Sequence, residues 1–395
     1  VKITGHASGS GVLTVTAPNT STNRVITLPD ATGTLLNSDG NAASLTAIPA
    51  AQVTGTLPAI SGANLTGVSG RRNLVKNGGF DVWQRGTSFT NVSGKNYIAD
   101  RWWCTPNSGA HTQTRQASGL NGFDYCLRMQ RNAGQTAGGV VYLLNEFESI
   151  DSSRHRGKKL TFSFYARKGA NFSQTNSYLT SNLTSGTGTD QSLSAGLTGG
   201  AGLISLNNTL TTDWQRFTHT TSSVLASNVN QICIQFTTAH SGTAGTNDYY
   251  ELTGVQLEVG TEATDFETRS YGEELALCQR YYEIVAAASE SSDSSICYAG
   301  TCFSTKSDQV NWNYTFAVKK RAAFTLEATT GTAYYKAVNH SSNIVDTAVG
   351  MTASYQPLNS VNGYITGSYS GSTEGKAWQF TLNHASAKIA VSAEI

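Results

Sequence analysis

The first seventy residues contain no Phe, Tyr, Trp or Cys and carry only four charged side chains, Lys2, Arg24, Asp30 and Asp39. A compact domain of that length needs large apolar side chains to offset the entropy lost on ordering its backbone. Here Val, Leu and Ile stand singly among Thr, Gly, Ala and Asn, so one copy has too little to build a core. The charge that keeps a disordered tail solvated is missing as well. Short strand-like runs, Val12–Thr16 and Val25–Leu28, stop at Pro18 and Pro29, and Thr32-Gly33-Thr34-Leu35 returns as Thr54-Gly55-Thr56-Leu57. These features fit residues 1–70 as an extended, intertwined stalk, in which several copies bury their small apolar residues against one another. The plainer alternative is a flexible linker.

From Arg71 the composition changes. Phe80, Trp83, Phe89, Tyr97, Trp102 and Trp103 arrive within a few turns of chain, and a hydrophobic core becomes affordable. Leu160, Phe162 and Phe164 alternate with Thr161, Ser163 and Tyr165, as half-buried strands do; Ile232, Ile234 and Phe236 repeat the pattern. So do Val255, Leu257 and Val259 around Gln256 and Glu258, while Ser181–Gly202 is rich enough in Gly, Ser and Thr to be expected as a long mobile loop. Residues 71–270 are therefore expected to form a β-sandwich of jelly-roll type. Ser270-Tyr271-Gly272-Glu273 fits a capping box, and Leu275, Cys278 and Tyr282 share a helical face, which predicts a linking helix over residues 271–284. Residues 285–395 read as a second, smaller antiparallel sandwich, with strands expected at Tyr314–Val318, Thr325–Ala328, Trp378–Leu382 and Lys388–Ile395. The fold class is mainly β.

Charged residues make up 13 % of the 395-residue chain and the formal net charge is +1, so the cationic excess that binds nucleic-acid phosphates is absent. No stretch approaches the roughly 20 apolar residues needed to cross a bilayer, so membrane insertion is not expected. No basic-then-apolar leader stands near Val1. Six cysteines lie far apart without zinc spacing; free thiols packed as small apolar groups are expected, and Cys297–Cys302 is the one local pairing to check. Seven dispersed histidines, no G-x-S-x-G elbow and no H-E-x-x-H helix give no catalytic residues, no metal site and no cofactor. The chain is expected not to be an enzyme.

Several segments resemble phage tail fibres. Arg24-Val25-Ile26-Thr27-Leu28-Pro29-Asp30-Ala31-Thr32-Gly33-Thr34-Leu35 and Gly55-Thr56-Leu57-Pro58-Ala59-Ile60 are similar to their stalk repeats. Asn73–Gly86, with Ala99-Asp100-Arg101-Trp102, resembles the opening strand of a jelly-roll module common in phage structural proteins. Gly254–Gly260, Phe266-Glu267, Tyr271–Leu275 and Cys278–Glu283 resemble a junction found in cyanophage and other tail proteins; Phe316–Phe324 and Ser392-Ala393-Glu394-Ile395 resemble the last domain of that architecture, with Phe324 where Pro is expected. The resemblance implies a homotrimeric fibre on the virion. Its amino-terminal end would meet other tail or baseplate proteins, and the fibre would attach to a host cell-surface glycan or protein. The jelly-roll opening also looks like carbohydrate-binding modules, some of which hold a structural calcium ion. Asp81 and Glu258 are conceivable oxygen ligands for one, a solvated carboxylate or sheet-edge charge being the plainer reading.

Sugar sites stack aromatic faces on pyranose rings and address hydroxyls with amides and carboxylates. In the last block Trp312, Tyr334, Tyr335, Tyr364 and Tyr369, with Asn311, Asn313 and Asn362 beside them, are the receptor-binding candidates; core filling is the competing explanation for each. Lys319-Lys320-Arg321 would meet an anionic surface or simply be solvated. The alternatives to a receptor-binding fibre are a structural fibre or decoration protein without a receptor site, and a polysaccharide depolymerase whose two carboxylates come from distant loops.

Overall fold

The computed structural model describes residues 71–92, 94–106, 109–287, 302–306, 309–330, 334–339, 344–348, 350–355, 357–366, 377–382, 384 and 386–395. The stalk expected over residues 1–70 and the Cys297–Cys302 pairing lie outside them. All the described residues belong to one compact unit, Ala63–Ile395.

Two six-stranded antiparallel sheets form the larger part. The first runs β1 (Ser88–Thr90), β4 (His111–Leu120), β5 (Phe123–Arg131), β12 (Tyr249–Val259), β7 (Leu160–Lys168), β10 (Gln215–Thr220). The second runs β2 (Asn96–Tyr97), β3 (Trp103–Pro106), β6 (Gly139–Glu146), β11 (Gln231–His240), β8 (Tyr178–Gly186), β9 (Ala201–Thr209). The alternation expected from sequence sets the core. Leu160, Phe162 and Phe164 meet Ile232, Ile234 and Phe236 across the gap. Phe164 and Phe236 pack edge-on with ring centres 4.9 Å apart, and Trp102 lies 6.3 Å from Phe236.

The other face of the first sheet is covered, contrary to the half-exposed strands expected. Thr161, Ser163, Gln256 and Glu258 are buried. The chain folds back over them after β12. Glu258 accepts from the Thr264 amide (2.9 Å) and hydroxyl (2.7 Å), and the Glu267 amide donates to Gln256 Oε1 at 2.8 Å.

Residues 73–86, expected to open the sandwich as a strand, follow β12 without joining the ladder as one. Leu74 donates to the Leu257 carbonyl and Val255 to the Gly78 carbonyl, at 2.8 and 2.9 Å. On either side of the Gly78 bond, Asn77 and Phe80 take left-handed φ values of 56° and 58°, which breaks the pleat. The Asn77 side chain holds the turn by donating to the Val82 and Asp100 carbonyls and accepting from the Val82 amide. Gly78 is required here, because a Cβ would stand 2.1 Å from the Val255 carbonyl oxygen.

Two further corrections concern extents. Residues 181–186 of the expected loop continue β8, paired with both β11 and β9. After the short α1 (Ser149–Ser152), the one longer helix among the described residues, α2 (Tyr271–Gln279), starts on the expected capping box: Ser270 Oγ accepts from the Glu273 amide, and the Ser270 amide donates to Glu273 Oε2. It stops at Gln279 rather than near residue 284. Tyr282–Ala287 is instead strand β13, antiparallel to β22 (Lys388–Ser392), because ladder pairing with β22 outweighs helix continuation through Ile284 and Val285.

The second block has two sheets around its own core. One is β13–β22–β16 (Thr325–Ala328). The other runs β18 (Ile344–Ala348), β17 (Tyr335–Asn339), β21 (Ala377–Leu382), β14 (Cys302–Lys306), β15 (Gln309–Thr315), β20 (Ser360–Thr366), β19 (Gly350–Tyr355). The strand expected to reach Val318 ends at Thr315, after which Phe316 turns into the core and packs edge-on against Phe324 at 5.1 Å.

The two blocks are joined by buried charge. The Arg101 guanidinium lies 3.6 Å from the centre of the Tyr281 ring and bonds the Glu394 carboxylate. Arg85 covers the Tyr282 ring at 3.6 Å and reaches Glu394 at 3.3 Å. Arg280 forks onto Glu148 at 2.8 and 2.7 Å. The basic run expected on the surface is part of this joint. Lys320 is fully buried on Glu283, and Arg321 donates to Asp190 and to the Ala393 and Glu394 carbonyls.

Candidate functional site: the outer face of the second sheet

Strand pairing aligns the outward side chains of the second sheet in rows across five strands. One row reads Trp103, Leu144, Gln235, Asn182, Ser205; the next reads Thr105, Tyr142, Thr237, Thr180, Asn207. Their sequence neighbours Cys104, Val141, Leu143, Ile234, Phe236, Leu183 and Ile204 point into the core, so period-two alternation fixes this face. A cavity of about 540 Å³ lies over the aromatic end, lined by Trp103, Thr105, Tyr142, Leu144, Gln235 and, from the loop above, Leu193 and Ser194.

Neither row carries a charged residue. The apolar end presents the half-buried Tyr142 above a floor of Trp103 and Leu144. Toward β9 the surface is hydroxyls and carboxamides, with Thr180 Oγ1 donating to Asn207 Oδ1 at 2.7 Å. Glu146 organises the rim. It accepts from Trp103 Nε1 (3.1 Å), Ser192 Oγ (2.9 Å) and the Leu193 amide (2.6 Å), which pins the loop to the sheet. Lys95 sits 4.4 Å over the Trp103 ring and donates to Ser192 Oγ and the Ile395 carbonyl; burial lowers its pKa, with Glu146 opposing. The local charges are therefore engaged with one another, and the groove offers donors and acceptors beside one half-exposed ring, Tyr142, with the Trp103 ring buried beneath Lys95.

The residues nominated from sequence are dispersed. Trp312 and Tyr335 belong to the core of the second block, 2 % and 1 % exposed, with the Tyr335 hydroxyl donating to the Thr329 carbonyl at 2.7 Å. They present no ring face to a ligand. Tyr334 is half-buried and stacked on His384, ring centres 4.2 Å apart. Tyr369 lies outside the described residues. Tyr364 lies on the other face of its sheet. It is half-buried on β20 directly across from Asn311, one row from the Asn313–Asn362 pair, on the side of the sheet away from Val310, Trp312 and Val361.

The four cysteines whose burial is described, Cys104, Cys126, Cys233 and Cys278, are buried free thiols, as expected. Burial pushes Cys104 and Cys126 up to about 12. Glu258 is neither solvated nor a sheet-edge charge, since Thr264 and Gln256 occupy its oxygens. Among the described residues no group of three or more His, Cys, Asp or Glu could hold a metal ion, and no helix is long and apolar enough to cross a membrane. Sequence reasoning missed Tyr142, Gln235 and Asn182; the signal available was the polar period-two pattern Thr180, Asn182, Thr184 and Gln235, Thr237.

No family model matches the chain, and no curated protein matches it in sequence. Among solved structures, the enzymatically active domain of tailspike protein 4 of bacteriophage CBA120 is 13 % identical over 47 % of this chain and 21 % of that one, with a TM-score of 0.30. The chain thus matches about a fifth of that tailspike structure. A carbohydrate-binding module, TmCBM61, solved with β-1,4-galactotriose, is 13 % identical over 48 % of this chain and 99 % of its own, TM-score 0.28. A sugar-binding protein from Bacteroides thetaiotaomicron VPI-5482, itself described as putative, is 13 % identical over 48 % of this chain and 100 % of its own, TM-score 0.31.

Proposed function

We propose that this chain is a subunit of a trimeric phage tail fibre, which attaches the virion to the host surface by holding a glycan across the outer face of the second sheet, without cleaving it. The observation that carries the binding reading is the uncharged groove itself. The half-exposed Tyr142 ring suits the apolar face of a sugar ring, and Gln235, Asn182, Asn207 and the threonine hydroxyls suit its hydroxyl groups. The one cation beside the lining, Lys95, is already engaged by Glu146 and Ser192, which favours a neutral polysaccharide over a polyanion. The likeness of residues 24–35, 55–60 and 254–283 to tail-fibre segments supports the viral setting, with attachment to other tail or baseplate proteins through the amino-terminal end.

The test is adhesion of the recombinant chain to host cells or purified surface glycan. Expected are saturable adhesion, competition with phage adsorption and no release of reducing ends. Release of reducing ends would favour a depolymerase. Absence of adhesion by an assembled, folded chain would favour a purely structural fibre.

A further inference from the structure

A second cavity, of about 340 Å³, shares no residue with the groove. It lies beside the turn between β4 and β5, where the chain after β12 passes into α2. Its walls are aromatic. Phe123 and Phe266 pack with ring centres 5.0 Å apart, Tyr271 is 60 % exposed at the mouth, and Tyr125 already carries the Arg115 guanidinium on its ring at 4.2 Å. Two carboxylates, Asp81 and Asp124, complete the lining.

Arg269, the other charged group there, has most of its donors engaged elsewhere. It donates to Glu267 (3.1 Å), Glu274 (3.3 Å) and the Val75 carbonyl (3.0 Å), and also to the Asn73 carbonyl. Asp81 is the contrast. The buried acids Asp100, Glu146, Glu148, Glu251 and Glu258 each accept at least two hydrogen bonds, whereas the Asp81 carboxylate, half-buried at the pocket, accepts none from the described residues. Gly79 keeps one of its oxygens open, since a Cβ at that position would come within 2.8 Å of Asp81 Oδ2. Burial, and then the charges of Glu274 and Asp124, raise the Asp81 pKa against the pull of Arg115. Asp81 and Asp124 thus leave the pocket acidic, offset only in part by Arg115, which is not among the lining residues, and by Arg269, which is engaged elsewhere.

We propose that this pocket binds an organic ammonium group, with Asp81 as its counter-ion and the rings of Phe123, Phe266 and Tyr271 as its walls. Aromatic faces and a partly desolvated carboxylate both attract a cation that sheds water readily. A hard metal ion demands six or more oxygens and finds two carboxylates among carbon walls. A neutral sugar would leave Asp81 uncompensated.

The test is calorimetric titration of the full chain at pH 6.8, where the amine of glucosamine is mostly protonated, with choline and, separately, with glucosamine. The neutral controls are 3,3-dimethylbutan-1-ol, the carbon isostere of choline, and N-acetylglucosamine. At least one ammonium should bind at least tenfold more tightly than its neutral counterpart. Choline alone would identify a quaternary head group, glucosamine alone a protonated amino sugar, and both a site that reads charge only. Asp81→Asn should abolish that preference. Because it removes a charge with no hydrogen-bond partner it should fold, and Tyr271→Ala, at an exposed position, should weaken binding severalfold with the fold intact. The proposal is overturned if neither ammonium binds at about 50 mM, far above any useful Kd, if charged and neutral probes bind alike, or if both variants bind like the parent chain.

Discussion

Arg101 stacks its guanidinium on the ring of Tyr281, 3.6 Å from the ring centre, in a position 2 % exposed to solvent. The pair joins a residue beside β3 to one at the end of α2, and the Glu394 carboxylate closes the arrangement from the second block. Removing one partner of a buried charge pair leaves the other uncompensated, at a cost of about 3–5 kcal/mol. Arg101→Met is accordingly expected to lower the denaturation midpoint of the second block and to separate its unfolding from that of the sandwich. A single unshifted transition by calorimetry would show the joint to be dispensable.

Binding at the groove should respond to its outward residues and to nothing in the second block's core. Tyr142→Ala and Gln235→Ala should each weaken glycan adhesion about tenfold, near 1.4 kcal/mol, with unchanged circular dichroism. Trp312→Ala should instead destabilise its block by about 3–5 kcal/mol, as large-to-small core changes do. Equal adhesion by the two groove variants and the parent would remove the site.

Histidine protonation should weaken the sandwich in mild acid. His240 is held down to about 4, by burial first and then by His111 and Arg131, with Asp248 opposing. Ser173, Thr238 and the Phe172 ring also face it, and His111 is lowered as well. The unfolded chain takes up a proton near 6.5 that the folded chain refuses until about 4. Stability is thus fully present above 6.5 and falls through that window, by on the order of 3 kcal/mol for His240. Asp100, raised to about 6 chiefly by burial, gains its proton in the folded state first and works the other way below that pH. A His240→Gln variant should therefore show a flatter loss of stability between pH 7 and 4.5. An NMR titration placing the His240 ring near 6.5 would contradict this account.

The close approach at Gly78 gives a backbone test. Gly78→Ala puts a methyl group against the Val255 carbonyl, where no flexible side chain can yield. Overpacking of this kind costs about 1–3 kcal/mol. Urea denaturation should show at least that loss, and a variant as stable as the parent would mean that residues 73–86 shift freely.

What the sequence made legible was what local chemistry decides. Phe162, Phe164, Ile234 and Phe236 announced their core face through alternation, and Ser270 with Glu273 announced a helix start, because partners three residues apart need no fold to meet. Gln256 and Glu258 looked like a solvated strand face because the residues that bury them, Thr264 and Glu267, return only when the chain folds back. Lys320 looked like surface charge for the same reason, its carboxylate partner Glu283 lying 37 positions away. Aromatic residues misled the site search. Trp312 alternates with Asn311 and Asn313, a pattern that gives two faces without saying which is wet. Tyr142 was hidden inside the apolar run Val140–Leu144, where only pairing with Thr237 and Thr105 reveals its direction.

Arg321 has a mechanical consequence. One end of its guanidinium grips Asp190, whose carboxylate also takes the Ser149 amide, while the rest holds the main chain at Ala393 and Glu394. Lys95 repeats the clasp between Ser192 and Ile395. Tension on the second block would therefore reach the lip of the groove through two cationic tethers, so that pulling on the second block is expected to alter the dwell time of whatever rests there.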